Sequence, residues 1–275
     1  MPDTAPLDDK SGSPGGGLGF DTSVANAARV YDYLLGGKDN FAADREAGDR
    51  ILAAIPGIAR MARGNRAFLG RTVRYLADEA GVRQFLDIGT GIPTAGNTHE
   101  VAQSVAPGSR VVYVDHDPVV LAHARALLTS GPEGEAAYID ADLRDTGKIL
   151  AAAAQTLDFS QPVAIMLVAV LHFIPGEEAY ERVSELVTAT AAGSFLTISH
   201  AAKDIEADAM GEAAAEANRR MAQQATLRTR EEVTRFFDGL NLVEPGVVPL
   251  NEWRPDSELT ARITSIGWGG VGRKR

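Results

Sequence analysis

The residues best suited to chemistry in this chain lie between 85 and 94, where FLDIGTGIPT joins an apolar run to a tight glycine turn. Gly89 and Gly91 allow a sharp turn and let a ligand approach main-chain N–H groups that a Cβ atom would cover. Asp87, at the expected end of a strand, can accept hydrogen bonds from an ammonium or hydroxyl group, or from the amides of the turn. The pattern favours a ligand site over a simple βα turn.

A second acidic residue follows a second apolar run. In RVVYVDHDP, residues 110–118, Asp115 lies at the distance from the glycine turn that suits a carboxylate binding ribose hydroxyls in a nucleotide-binding βαβ unit. Asp115 could instead cap the next turn, but Asp117 followed by Pro118 is the better helix start. The usual dinucleotide fingerprint would have glycine at position 94, where this chain has Thr94.

A third acidic segment completes the pattern. AAYIDADLRD, residues 136–145, places Asp142 after a third short strand, with Asp140 and Asp145 as neighbouring alternatives. Together the three segments resemble motifs I, II and III of the class I S-adenosylmethionine-dependent methyltransferases. The resemblance implies S-adenosylmethionine as the cofactor, with Asp142 near its adenine amino group. The cofactor-binding residues that it implies in these segments are Asp87, Gly89, Thr90, Gly91, Asp115, His116, Asp142 and Leu143.

The resemblance becomes narrower towards the N-terminus. ARVYDYLLGGKDNFAADRE at 28–46 and NRAFLGRTVRYLA at 65–77 look like signature segments of an actinobacterial family of S-adenosyl methyltransferases, long known only as a domain of unknown function. The DIGTGIPT turn, VDHDPVVLAHARALL and GWGGVGRK are similar to the same family. The match covers roughly residues 20–273. It implies a cofactor and a fold but no particular methyl acceptor.

Donors, acceptors and aromatic rings are concentrated in RVYDYLLGGKDNF. We interpret residues 28–41 as a lid that closes over cofactor and acceptor, with Gly36-Gly37 as its hinge. The ordinary alternative is that tyrosines at helical spacing are core residues and that a lysine after two glycines faces solvent. The residues expected to face the cofactor are Arg29 and Tyr31, and those expected to face the acceptor or form the lid are Tyr33, Lys38 and Asn40.

Two histidines fall at the carboxyl ends of expected strands: His172 after VAIMLVAVL and His200 after SFLTIS. Open α/β sheets bind ligands at that edge. Either ring could accept a proton from a methyl acceptor, because histidine titrates near pH 6.5. Each could equally cap a loop or bond a buried carbonyl, and methyl transfer often needs only alignment and exclusion of water. His172 and His200 are the candidate catalytic residues.

Composition argues against several classes of function. The formal charge of −10, with no extended Lys/Arg stripe, argues against nucleic acid as a partner. The absence of cysteine excludes disulfides, thiolate metal sites and a cysteine nucleophile, and no metal is expected. No signal peptide is evident, and the longest apolar run, 163–171, is too short to span a bilayer. We therefore expect a cytoplasmic protein without membrane partners, of unknown oligomeric state.

The elements that position these residues follow from hydrophobic period and turn residues. Residues 1–19 are rich in Gly, Pro and acidic residues and predict a disordered tail. Three helices within residues 20–82 are expected to form an N-terminal cap. The expected helices are 24–35, 42–54 and 58–80, and the expected strands are 84–88, 110–115, 136–140, 162–168, 194–199, 241–248 and 260–268. A helical insertion is expected over residues 201–225.

The alternation of strands and helices after residue 83 predicts an α/β fold for residues 83–275. The predicted architecture is a Rossmann-like, seven-stranded, mostly parallel sheet with helices on both faces, forming one compact unit with the cap. In the resembled fold the last two strands form an antiparallel hairpin.

These patterns favour an S-adenosylmethionine-dependent methyltransferase with a small-molecule acceptor. One alternative is a regulatory protein that holds S-adenosylmethionine or its product without turnover, and the sequence does not separate this protein from an enzyme. Another is an NAD(P)-dependent oxidoreductase on a similar sheet. Thr94 in place of a third glycine and the absence of a Tyr-x-x-x-Lys pair argue against the oxidoreductase.

Overall fold

The computed structural model describes residues 21–127, 133–219, 224–262 and 265–275. The predicted disordered tail, residues 1–19, lies outside the described residues. In the described ranges, three helices are followed by a mixed sheet with helices between its strands, which confirms the predicted α/β class. None of the described helices combines the length and the apolar character needed to cross a membrane.

The three helices before the sheet are α1 (Ala27–Leu35), α2 (Ala42–Ala54) and α3 (Ile58–Asp78). The side chain of Asn26 accepts the N–H of Ala28, so α1 begins at residue 27 rather than at 24. Gly36 ends α1 in the left-handed conformation, with φ of 85°. Apolar side chains of the three helices pack together in a buried cluster that includes Leu34 and Ile58.

Five parallel strands form the core of the sheet in the order β3-β2-β1-β4-β5. They are β1 (Gln84–Ile88), β2 (Arg110–Asp115), β3 (Glu135–Asp140), β4 (Ala164–Val168) and β5 (Phe195–Ala201). The helices between them are α4 (Thr98–Val105), α5 (Pro118–Leu127), α6 (Thr146–Ala153) and α7 (Glu178–Thr188). The predicted strands 84–88 and 110–115 are confirmed without a shift, and Asp117 accepts the N–H groups of Val119 and Val120 at the start of α5.

The elements after β5 differ from the sequence prediction in part. They are α8 (Ala207–Asn218), α9 (Arg230–Thr234), β6 (Asn241–Leu242), β7 (Val248–Pro249), α10 (Glu258–Ala261) and β8 (Gly267–Arg273). Short 3-10 helices cover Leu171–Phe173, Arg235–Phe237 and Leu250–Glu252. The helix predicted within 201–225 is confirmed by α8, and the predicted capping box of Thr229 and Glu232 begins α9.

The last two predicted strands are wrong in their bounds. The strand predicted over 241–248 is split into β6 and β7, because Pro245 has no N–H to donate and Gly246 turns the chain with φ of 86°. Residues 260–268 contribute to α10 and only the start of β8. Strand β8 pairs antiparallel with β5, β6 and β7, so the sheet has eight strands rather than seven.

The glycines of β8, GWGGVGR, leave room for side chains from other elements. A Cβ atom on Gly269 would lie 2.7 Å from a Leu250 methyl carbon and 2.9 Å from the ring of Phe68. A Cβ atom on Gly272 would lie 2.7 Å from the ring of Phe237. Because Phe68 belongs to α3, the bare surface of β8 lets α3 pack directly on the sheet.

Candidate functional site

A cavity of about 670 Å³ lies at the carboxyl edge of the parallel strands. This volume is ordinary for a small-molecule pocket, which typically measures roughly 300–1,000 Å³. The loops after β1 to β4 form one side, which we call the strand-edge wall, and it includes Asp87, Gly91, Asp115, Asp142 and Leu143. Helices α1, α2, α3 and α8, with the residues that flank them, form the other side. This helical wall includes Leu34, Ile51, Ile55, Ile58, Met61 and Met210.

The glycine turn after β1 needs its glycines for two different reasons. Gly89 has φ of 77°, and a Cβ atom there would lie 2.3 Å from a Val170 methyl carbon. Gly91 has φ of 68°, but a Cβ atom there would meet no atom within 4 Å. Gly89 is therefore required by packing as well as by conformation, whereas Gly91 combines a left-handed conformation with an open surface of the cavity.

The sequence predicts that the N–H groups of this turn are available to a ligand, but in the structure they donate to protein acceptors. Gly89 and Thr90 donate to the carbonyl of Val114, over 2.8 and 3.4 Å. Gly91 donates to Oδ2 of Asp115 over 2.9 Å. All three donors point towards β2, so the turn offers the cavity a bare surface and leaves polar recognition to side chains.

Alanine at the two glycines is expected to separate folding from binding. Gly89→Ala should lower the free energy of unfolding by about 2–3 kcal/mol, because left-handed strain and overpacking against Val170 add together. Gly91→Ala should cost only about 1 kcal/mol of strain but should weaken ligand binding, because its methyl group enters the cavity. Urea unfolding and calorimetric titration measure the two effects. Equal loss of stability in both variants would contradict the packing role of Gly89.

Asp115, the predicted ribose ligand, also holds the strand-edge wall together. Its Oδ1 accepts the N–H groups of His116 and Asp117 over 2.8 and 3.0 Å, and its Oδ2 accepts that of Gly91. Burial raises the pKa of the Asp115 carboxyl, although these N–H bonds oppose the rise. Asp115 therefore braces the loops after β1 and β2 and also lines the cavity. Its two predicted roles, in binding ribose and in capping the turn, are compatible.

Asp87 is a second buried acid on the same wall. Its Oδ2 accepts the hydroxyl of Thr98 over 2.6 Å, and Oδ1 accepts no hydrogen bond from the described residues. Burial raises the pKa of Asp87 to about 6, and the nearby Asp115 carboxylate adds to the rise, against the opposing effects of Thr98 and Arg66. An ammonium or hydroxyl group of a ligand that donates to Oδ1 would stabilise the buried, charged form of Asp87.

The other predicted cofactor residues of the strand edge also line the cavity. Thr90 and the exposed His116 flank the two acids, and Leu143 contributes a buried apolar surface. Asp142 lines the cavity too, and its carboxylate accepts the N–H of Arg144 and forms an ion pair with the guanidinium of Arg144 at 3.3 Å. Asp145, a sequence alternative, caps α6 instead.

Arg29 and Tyr31 have different places in the structure. Tyr31 lines the cavity, where its hydroxyl donates to the carbonyl of Ala62 over 3.0 Å and accepts from Asn65 over 2.9 Å. Arg29 is not among the residues that line the cavity, so its contact with the cofactor stays a prediction. Its guanidinium pairs with Asp44 at 3.2 Å and so ties α1 to α2.

The residues predicted to contact the acceptor lie outside the cavity lining. Tyr33 packs on Gly48 of α2 and donates its hydroxyl to Asp49 over 2.6 Å. Asn40 donates to Asp32 over 2.8 Å, and Lys38 is exposed. Contact of these three residues with an acceptor stays a prediction, since Tyr33 and Asn40 are engaged in helix packing and loop bracing and Lys38 faces solvent.

The proposed hinge at Gly36-Gly37 is held by the buried carboxylate of Asp32. Oδ2 of Asp32 accepts the N–H of Asp39 over 2.9 Å, and a Cβ atom on Gly37 would overlap the Asp32 carboxylate. The loop therefore wraps closely around one side chain. Movement of residues 28–41 over the site stays a prediction, but a free Gly-Gly hinge does not fit this packing.

The two candidate catalytic histidines differ in whether they line the cavity. His172 lines the cavity, and burial together with the Arg228 cation lowers its pKa to about 4. Neither of its ring nitrogens has a hydrogen-bond partner among the described residues. His200 lies outside the lining, donates from Nδ1 to the carbonyl of Ala201 and accepts at Nε2 from Arg228 over 2.9 Å. Burial keeps the pKa of His200 well below its usual value, and both of its ring nitrogens are engaged, so a general-base role for His200 stays a prediction without support from this geometry.

Arg228 is an important residue that the sequence analysis missed. Its guanidinium is buried, donates to the carbonyls of Leu171, Ile174 and Gly176, and lies over the rings of Tyr180 and Phe236. It therefore fixes the loop that carries His172. No sequence motif marks Arg228 as important, because its partners are backbone carbonyls that lie far away in the chain.

Asn65 was also missed. It is buried on α3, lines the cavity, donates to Tyr31 and accepts the hydroxyl of Ser199 over 2.6 Å. Ser199 in turn accepts the N–H of Ala169, a non-glycine residue with φ of 57°. This chain of bonds joins the two walls of the cavity. Within the described ranges, no group of three His, Asp or Glu side chains is arranged to hold a metal ion.

Comparisons with known proteins identify the family and the fold of this chain. A family model described as S-adenosyl methyltransferase matches residues 17–275. The crystal structure of a DUF574 family protein from Streptomyces avermitilis MA-4680 is similar with a TM-score of 0.90 and 45% identity, over 93% of this chain and 99% of that chain. A structure described as a "putative methyltransferase" from Thermobifida fusca YX gives a TM-score of 0.87 and 45% identity, over 96% and 100%. No match was found among curated proteins.

Proposed function

Because this chain belongs to the family of S-adenosyl methyltransferases, whose methyl donor is S-adenosylmethionine, we propose that it methylates a small molecule bound in the cavity described above. The observation that carries the proposal is the extent of that cavity. It runs from the acidic strand edge, where a cofactor would bind, to an apolar helical wall, where an acceptor would lie. Donor and acceptor would share one space, which is the main requirement for a direct transfer.

The side chains of the strand-edge wall suit the cofactor. Asp87 and Asp115 are carboxylates at the cavity surface, and carboxylates bind the hydroxyl and ammonium groups that this cofactor carries. Burial raises the pKa of both acids, and a cationic ligand beside them would favour their charged forms. Leu143 and the bare face of Gly91 offer apolar surface for a flat ring.

Positioning, rather than proton abstraction, best accounts for the residues around the transfer site. When bound, S-adenosylmethionine supplies a methyl group made electrophilic by its sulfonium sulfur. His172 lines the cavity, but a group with a pKa of about 4 is a weak base at neutral pH. We therefore assign His172 a hydrogen-bonding role and assign alignment of the acceptor to the surrounding walls.

A small acceptor fits the charge of the protein better than a nucleic acid. The chain has a formal charge of −10, and a polyanion would be repelled rather than attracted at low salt. The two arginines that line the cavity are already engaged: Arg66 donates to the carbonyls of Ala95 and Gly96, and Arg144 pairs with Asp142 and Glu178.

We expect S-adenosylmethionine and S-adenosylhomocysteine to bind in calorimetric titrations in which NAD gives no heat. Asp115→Ala should weaken that binding by about 1.5–3 kcal/mol, the usual effect of losing a charged acceptor. Asp140→Ala is the matched control, because Asp140 is exposed at the paired position of β3. Unchanged affinity after Asp115→Ala would show that Asp115 acts only as a brace.

Activity is tested by incubating the protein with methyl-labelled S-adenosylmethionine and a small-molecule extract of its host. We expect label in low-mass products that form only with active protein. Label that appears only in protein or nucleic acid would overturn the proposed substrate class. Cofactor binding without any labelled product would instead indicate a protein that holds the cofactor without turnover.

A further inference from the structure

The helical wall of the cavity has a chemistry of its own. Its six defining residues, Leu34, Ile51, Ile55, Ile58, Met61 and Met210, are aliphatic or thioether side chains. They belong to, or pack against, the buried apolar cluster formed by α1, α2, α3 and α8. Ile51 and Met61 are only partly buried, so apolar surface stays open to the cavity. A ligand on this wall would be recognised mainly by burial of its own apolar surface.

Most of the charged residues of the cavity lining lie on the strand-edge wall. Among the described cavity residues, those from α1, α2 and α8 are all uncharged. The charged residues of the lining are Arg66, Asp87, Asp115, Asp117, Asp142 and Arg144. Five of them follow or end a parallel strand, and Arg66 of α3 is bound to the loop that follows β1. A carboxylate or phosphate on the helical wall would thus be desolvated without a counter-ion, which is strongly unfavourable.

His172 is a polar group beside the helical wall whose ring has no hydrogen-bond partner among the described residues. The polar groups of Tyr31 and Asn65 are hydrogen-bonded to each other, and they also bond the carbonyl of Ala62 and the hydroxyl of Ser199. His172 has no hydrogen bond from either ring nitrogen to the described residues, and Nδ1 is fully buried. Its backbone carbonyl accepts the N–H of Thr226, next to the cavity residue Leu227. His172 can therefore give or take one hydrogen bond at the edge of an otherwise apolar surface.

We propose that the methyl acceptor is an uncharged, largely apolar small molecule that lies on the helical wall and makes one hydrogen bond, through a hydroxyl or an aromatic amine group, to His172. This inference rests on the proposed function and specifies its substrate class. Phosphorylated and carboxylated metabolites are disfavoured on the helical wall, because α1, α2 and α8 contribute no cationic side chain to the described lining. The cationic residue from α3, Arg66, already donates to carbonyls of the loop that follows β1.

Two fluorescent probes that share one ring system test the proposal without any turnover. N-phenyl-1-naphthylamine is uncharged, and 8-anilino-1-naphthalenesulfonate adds an anionic group to the same skeleton. With the full-length protein saturated with S-adenosylhomocysteine, the uncharged probe should bind saturably and roughly tenfold or more tightly than the sulfonate, because only the sulfonate must bury an unpaired charge. No saturable binding of the uncharged probe, or equal affinity for the two probes, overturns the proposal.

Substitutions locate the bound probe. Ile51→Asp should weaken binding of the uncharged probe by roughly tenfold or more, whereas Leu259→Asp, at a side chain that is 76% exposed, should leave it unchanged. Met61→Glu provides a second variant on α3, in case Ile51→Asp does not fold. Titration with S-adenosylhomocysteine verifies folding of each variant. Unchanged probe affinity in folded Ile51→Asp and Met61→Glu contradicts the location.

The solubility of the labelled product tests independently whether the acceptor is uncharged. In the label-transfer assay the labelled product should partition from neutral buffer into ethyl acetate, and label confined to the aqueous phase contradicts an uncharged acceptor. Failure of the proposed function is distinguishable, because no label would then pass from S-adenosylmethionine to any small molecule, whether or not the cofactor binds.

Discussion

Replacing Asp87 with asparagine is expected to stabilise the ligand-free protein while weakening its hold on the cofactor. At neutral pH the buried Asp87 carboxylate is ionised against a pKa raised from 3.8 to about 6. Because each pKa unit corresponds to about 1.4 kcal/mol, removing this charge should increase the free energy of unfolding by about 1–3 kcal/mol. Asparagine keeps an oxygen that can accept the Thr98 hydroxyl.

Affinity for S-adenosylmethionine should change in the opposite direction. Loss of a charged acceptor costs about 1.5–3 kcal/mol, which raises the Kd roughly 10- to 150-fold. Differential scanning calorimetry of the ligand-free protein should show a Tm higher by roughly 3–10 °C. A variant that is no more stable, or that binds the cofactor as tightly as the wild type, would remove Asp87 from the site.

The effect of Asp87 should depend on pH with a definite sign. A folded pKa above the unfolded value of 3.8 means that the folded protein binds the extra proton between about pH 6 and 3.8. The contribution of Asp87 to stability is therefore largest below this window and is lost as pH rises through about 6. The stabilising effect of Asp87→Asn should be present above about pH 6 and disappear below 3.8.

Asp158→Asn is the matched control for both measurements. Asp158 is exposed, and bonds from Ser160 lower its pKa instead of raising it. This variant should neither stabilise the protein at neutral pH nor alter cofactor binding. Stabilisation by Asp158→Asn would indicate a general effect of lower net charge and would weaken the interpretation of Asp87.

Arg228→Met is expected to destabilise the protein more than any other change considered for this site. Methionine would fill much of the space but would remove the guanidinium donor from the carbonyls of Leu171, Ile174 and Gly176 and from Nε2 of His200. The Leu171 carbonyl keeps the N–H of Ile174, and Gly176 is exposed, so the main loss falls on the carbonyl of Ile174 and on His200. Each unsatisfied buried group costs about 1–3 kcal/mol, and partial relaxation reduces the sum to about 3–5 kcal/mol. Urea unfolding measures the loss, and hydrogen exchange should accelerate in the loop at residues 171–176.

The control for Arg228 shares one of its aromatic partners. Arg235 lies over the ring of Tyr180, 4.1 Å from its centre, but is exposed and paired with Glu177. Arg235→Met should cost at most about 1 kcal/mol. The pKa of His172 should rise in Arg228→Met, because the cation that helps to lower it is gone. Similar losses of stability at positions 228 and 235 would rule out the buried network as the cause.

The sequence predicted the parallel strands well because each is an apolar run bounded by turn residues. Strands β1 and β2 match their predicted bounds, and β3, β4 and β5 differ by at most two residues at either end. Strand β8 was misplaced because its apolar surface does not come from its own side chains. Phe68 and Phe237 cover the glycines of β8, and no local pattern reports such long-range packing.

The site was predictable where backbone position decides what a residue faces. Asp87 and Asp115 follow directly from their places at strand ends, and both line the cavity. The site residues on helices were harder to predict, because packing against the neighbouring helix decides which side chains face the cavity. Tyr31 faces the cavity, whereas Tyr33 packs on α2. Arg228 gave no signal, because its role depends on carbonyls brought close only by the folded chain.

The position of β8 between β5 and the short strands β6 and β7 has a consequence for the order of folding. Strands β6 and β7 have β8 as their partner, so neither can join the sheet before β8 has paired with β5. Phe68 of α3 packs on Gly269 across a long stretch of sequence. Contacts between such distant residues form slowly. A nascent chain that has completed its five parallel strands should therefore still lack a fixed helical wall, and its cofactor surface should form before its acceptor surface.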